Sequence, residues 1–107
     1  MEDILVLGAL NELAEALGDS NSNPLSSSLL CLRCNISFDQ KGKIMVAFNQ
    51  VLRNIAFDDL EVSNFHKALQ EVVPESKDYG EPLIIAFIKA FARNHIAELV
   101  PFARTLD

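Results

Sequence analysis

A chain of 107 residues, half of them apolar, can fill one hydrophobic core without a metal or a disulfide to close it. Fifteen acidic residues against nine basic ones give a formal net charge of −6, which disfavours direct binding to DNA or RNA, where Lys and Arg must neutralise phosphate. The start Met1-Glu2-Asp3 lacks the positive segment of a secretory signal, and no uncharged apolar run approaches the ~18 residues that span a bilayer. A cytoplasmic protein is therefore expected, with no membrane partner and with Cys31 and Cys34 as free thiols.

The spacing predicts a first helix over 3–17, with Val6, Leu10, Leu13 and Leu17 on one 3.6-residue stripe that Ile4, Leu7 and Ala14 widen. Glu2 and Asp3 suit its N-terminus and Gly18 its end. Residues 19–28 read as a loop, rich in Ser and Asn, with Ser26, Ser27 and Ser28 available as caps. Leu25, Leu29, Leu30 and Leu32 then form a short apolar segment through Cys34, read as a helix although a buried strand would look similar. Residues 35–42 read as a turn, with Phe38 anchored in the core. A helix over 43–55 buries Met45, Phe48, Leu52 and Ile55.

Asp58-Asp59-Leu60-Glu61 has the form of a capping box ahead of a helix over 63–73, with Phe65, Leu69 and Val72 inward and Pro74 as its stop. After a polar loop over 74–81, Pro82 fits the first turn of a last helix running to Val100, where Pro101 breaks it before a final turn. Strand signals are nearly absent. The expected fold is all-α: a single domain over 1–107, built as a small irregular bundle of four to five helices.

Three groups of residues offer chemistry. Cys31-Leu32-Arg33-Cys34 has the spacing of a redox dithiol or of half a zinc site. A redox pair belongs at a helix N-terminus after a strand; this pair follows a serine run and precedes Asn35-Ile36-Ser37-Phe38, a poor helix start, so only Arg33 favours a thiolate. Zinc needs four ligands, and His66 and His95 lie 32 and 61 residues beyond Cys34, matching no compact finger. Two small thiols at i and i+3 suit a core, and thiol-redox or metal chemistry is the alternative. His66 falls on the polar side of its helix. His95 falls in the stripe of Ile84, Ile88, Phe91, Leu99 and Phe102, with no acid or nucleophile in view to make it a general base. No nucleotide-binding, zinc-protease or hydrolase motif is present, and no cofactor is implied. A helix-turn-helix regulator, reading DNA through Val62-Ser63-Asn64-Phe65-His66-Lys67, is a second alternative, opposed by Asp58, Asp59, Glu61 and Glu71 around its two donors.

Surfaces carry the stronger expectation. The last helix is apolar nearly all round, so it is either central or partly covered by a second chain, which makes Ile84, Ile88, Phe91, His95, Leu99 and Phe102 the candidate partner or dimer interface. The first thirty residues carry Glu2, Asp3, Glu12, Glu15 and Asp19 with no Lys or Arg, an acidic face suited to a basic partner. The functional expectation is a non-catalytic protein–protein interaction module. Its specific form would be a small inhibitor or adaptor, plausible as a phage or mobile-element product and able to homodimerise.

Overall fold

Short polar residues set the helix starts. The computed structural model describes residues 3–20 and 22–106, and its helices run α1 Asp3–Ala16, α2 Ser27–Arg33, α3 Phe38–Asn54, α4 Val62–Val72, α5 Glu81–Asn94 and α6 Val100–Arg104. Single 3-10 turns lie at Phe57–Asp59, Pro74–Asp78 and Ala97–Leu99. The fold is all-α as expected, with six helices rather than four or five; an isolated bridge between Ser20 and Asn23 is the sole β pairing among the described residues. Ser26 Oγ accepts the Leu29 N–H at 3.1 Å to start α2 inside the expected loop.

Ser37 does the same for α3. Its Oγ accepts the Gln40 N–H at 3.1 Å while Gln40 Oε1 accepts the Ser37 N–H at 2.9 Å. That capping box starts α3 five residues before Lys43 and turns Phe38, expected in the core, out to 86% exposure. Asn64 Oδ1 accepts the Glu61 N–H at 2.7 Å, so the cap of α4 belongs to Glu61 and Asn64 rather than to Asp58. Gly18, at φ +99°, ends α1 with paired bonds from Asp19 N to Ala14 O (2.9 Å) and Gly18 N to Glu15 O (3.0 Å), a left-handed geometry that glycine adopts without strain.

The last helix is shorter than the sequence suggests. Pro101 has no N–H for the Ala97 carbonyl, and its ring would press on that carbonyl in a continuous helix. The chain instead leaves α5 at His95, whose N–H and that of Ile96 both bond Phe91 O (2.9 and 2.8 Å), and restarts as α6 with Pro101 in its first turn.

The core gathers on α5. Ile84, Phe87, Ile88, Ala90 and Phe91 expose no surface, and Ile44 and Phe48 from α3, Phe65 and Leu69 from α4, Leu30 and Cys31 from α2 and Phe102 from α6 close around them. The rings interlock: Phe48 meets Phe65 edge-on at 5.2 Å and Phe91 at 5.5 Å, and Phe65 stacks on Phe102 at 5.4 Å. At ~1.5–3 kcal/mol for each large side chain taken fully out of water, these residues supply most of the driving force for folding. Helix α1 contributes nothing to that cluster. Its one buried residue is Ala14, its neighbour is α2, and the molecule is correspondingly elongated, 45 × 27 × 22 Å.

Candidate interaction surface

The hydrophobic face expected on the last helix is interior. Ile84, Ile88, Phe91 and Leu99 have no exposed surface and Phe102 has 6%, so these five side chains fill the core of one chain and offer no docking face. The helix is apolar all round because α2, α3, α4 and the α6 segment pack about it, which is the central-helix outcome. His95 alone of that set is exposed; it sits at the C-cap of α5 with its ring 5.8 Å from Phe91.

His95 has a hydroxyl partner that the sequence did not reveal. Its Nε2 lies 2.8 Å from Ser27 Oγ, while Asn94 Oδ1 accepts the Ser27 N–H at 2.6 Å. The pair resembles a nucleophile and base only in distance. Ser27 is 1% exposed, so substrate has no path to the hydroxyl, and among the described residues no carboxylate is hydrogen-bonded to the His95 ring. What the contact does is tie the first turn of α2 to the end of α5. Burial of the ring, with a smaller contribution from Lys41, lowers the His95 pKa.

The cysteines are packed rather than poised. Burial pushes the Cys31 thiol up to about 11, and burial raises Cys34 despite its hydrogen bond with the Tyr79 hydroxyl and the nearby Arg33. Raised thiols are poor nucleophiles at neutral pH, the opposite of a redox dithiol. Among the described residues no three His, Cys, Asp or Glu side chains stand close enough to hold a metal ion. His66 Nε2 bonds the Ser76 carbonyl at 2.8 Å, securing the Pro74–Asp78 turn to α4. Phe65, Ala68 and Leu69, which would belong to a recognition helix, face the core.

The uncovered apolar surface is on α1. Val6, Leu10, Leu13 and Leu17, the stripe that a core would ordinarily cover, are 36, 40, 63 and 77% exposed. Between α1 and α2, Leu10, Leu13 and Leu17 border a cavity of about 420 Å³ floored by Ala14, Leu25, Leu29 and Leu32. It continues past Ser28 and Leu32 into a second, of about 190 Å³, walled by Phe38 and Ile36. No protein-family model, curated protein or solved structure matches the chain. The surface must therefore be read from its own chemistry.

Arg33 fixes α1 in place. Its Nε donates to Asn11 Oδ1 at 2.6 Å and its Nη1 to Asp19 Oδ2 at 3.1 Å, and Asp19 Oδ1 also accepts the Leu25 N–H at 2.8 Å. Asp19, expected to face a partner, is thus nearly buried and spent on the loop. Asp3, Glu12 and Glu15 are exposed as the acidic-face expectation requires, while Glu2 lies outside the described residues. A basic cavity of about 300 Å³, lined by Lys89, Arg93 and Arg104, lies under the same loop, where Lys89 donates to Ser22 O and Arg93 to Asn23 Oδ1.

The residues missed as surface were Leu32 and Phe38, 53 and 86% exposed. One signal was available: a central helix apolar on every side already saturates a core this small, leaving the leucines of the first helix with nothing to cover them.

Proposed function

We propose that this chain is a non-catalytic protein-interaction module, an adaptor or inhibitor in form, that works by burying the apolar face of α1 and α2 against another protein surface. One observation carries the reading: Leu10, Leu13 and Leu17, on a helix that adds nothing to the core cluster, and Leu32 of α2 stand 40–77% exposed around a 420 Å³ apolar groove. A contiguous apolar patch of this kind on a small domain marks a contact site. Glu12 and Glu15 are exposed on the same helix, outside the groove lining, and favour approach of a basic partner, setting on-rate and orientation more than affinity. No helix among the described residues is long and apolar enough to cross a membrane, which supports a protein partner over a bilayer.

Photo-crosslinking in the native host tests this. A benzophenone side chain replacing Leu13 is expected to give a protein adduct that the same group at exposed Glu71 does not give and that Leu17→Glu abolishes. Lack of an adduct at position 13, or identical adducts at both positions, overturns the reading. Reversing Glu12 and Glu15 to Lys is expected to slow association at low salt and to matter little at high salt, where the field is screened.

A further inference from the structure

We propose that the occupant of this face is a second copy of the chain, paired through α1 in an antiparallel, two-fold arrangement. The inference rests on the docking reading above and names its partner. The exposed stripe is a heptad seam: Leu10 and Leu17 take a positions, Val6 and Leu13 take d positions. The g flank is Ala9 and Ala16, small exposed residues that let a second helix approach closely, while on the e flank Leu7 is half-buried and Ala14 is buried. Glu12 and Glu15 fall at c and f, off the seam.

A two-fold axis near the middle of α1 superposes the seam on itself. Val6 then meets Leu17 of the other copy and Leu10 meets Leu13, so each knob finds an apolar partner and no residue is left over. Asp3 chooses the direction. It takes the a position one heptad before Leu10, so parallel pairing sets the two Asp3 carboxylates against each other, whereas antiparallel pairing keeps them at opposite ends of the contact. The groove between α1 and α2 receives the incoming helix, with Leu25, Leu29 and Leu32 as its floor, making a four-helix cluster from two helices of each copy.

The area is close to what a pair needs. At on the order of 150 Å² per fully open side chain, the exposures of Val6, Leu10, Leu13, Leu17 and Leu32 amount to roughly 400 Å² of apolar surface per copy. A stable interface buries ~800 Å² per partner, a little over half of it apolar. The outward Glu12 and Glu15 of both copies remain open for a basic partner.

Sedimentation equilibrium of the whole chain tests the pairing. From about 1 to about 200 µM the mass is expected to rise toward twice 11.8 kDa. Leu13→Glu, at a site already exposed, is expected to leave the helical spectrum unchanged and hold the mass at one chain; Leu10→Lys should do the same. Mixing the two variants should restore the doubled mass, because position 10 of one copy faces position 13 of the other only in the antiparallel register. A monomer at the highest concentration, a dimer indifferent to Leu13→Glu, or a mixture that stays monomeric overturns the proposal. A monomer that still crosslinks a different protein from position 13 overturns self-pairing and leaves the docking face standing; a monomer with no adduct overturns both.

Discussion

Replacing Phe91 and Leu13 separately with Ala separates the core from the docking face. Phe91 exposes nothing and its ring lies 5.5 Å from that of Phe48, 6.5 Å from Phe87 and 5.8 Å from His95, so truncation removes a packed ring and leaves a cavity that the interlocked neighbours cannot collapse into. Such losses run ~3–5 kcal/mol. A domain this size loses about 4–8 °C of Tm per kcal/mol, so a fall of about 12–40 °C is expected. Leu13 is 63% exposed, so about a third of the ~1.5–3 kcal/mol available from full burial is at stake, and the better helix propensity of Ala returns part of it. The net cost should be under ~1 kcal/mol. Urea or thermal unfolding followed by far-UV circular dichroism, at about 1 µM to keep the chain monomeric, reads both. Equal losses would refute the reasoning, because they would put α1 inside the folding core.

Three further outcomes follow from side chains described above. Cys31, with its thiol held near 11 by burial, should react with a thiol reagent at pH 8 at least about a hundredfold more slowly than a free cysteine, and at the ordinary rate in denaturant; fast native-state reaction at Cys31 would restore the redox reading. Ser76 is fully buried and its hydroxyl has no hydrogen-bond partner, so Ser76→Ala should leave stability unchanged or raise it by up to ~1 kcal/mol, and a loss above that in urea unfolding would reveal a partner for the hydroxyl. The lowered pKa of His95 means the fold prefers the neutral ring: its contribution is present above the unfolded value of about 6.5 and is lost as pH falls below it. His95→Gln, which can still reach Ser27, should therefore flatten the stability decline between about pH 7 and pH 5; an unchanged slope would remove His95 from the linkage.

Sequence periodicity located the helical core well because its signals are local. The expected stripe of Met45, Phe48, Leu52 and Ile55, the inward set of Phe65, Leu69 and Val72, and the all-round apolarity of 84–91 each need only the chain's own spacing to be read; Phe48, Phe65, Leu69, Ile84, Phe87, Ile88 and Phe91 are buried, and Met45, Leu52, Ile55 and Val72 pack half-buried against them. The site was less legible because exposure is a global property. Val6, Leu10, Leu13 and Leu17 have the same pattern as a core stripe, and only the filling of the interior by α5 decides that they remain outside. Phe38 was misplaced for a different reason: the short capping box of Ser37 and Gln40 outweighed the pull of one aromatic, starting the helix where that ring points to solvent. The Ser27–His95 contact joins residues 68 apart in sequence and had no local signature at all.

Because α1 stands outside the core cluster, held to the body by Arg33 and the Asp19 clasp, its exposed residues can change nearly one at a time without endangering the fold. Specificity and foldability are carried by different stretches of the same short polypeptide. A graft of another helix between Asp3 and Ala16 that preserved Asn11, Ala14 and the Gly18 turn would retarget the molecule while leaving the scaffold behind it intact.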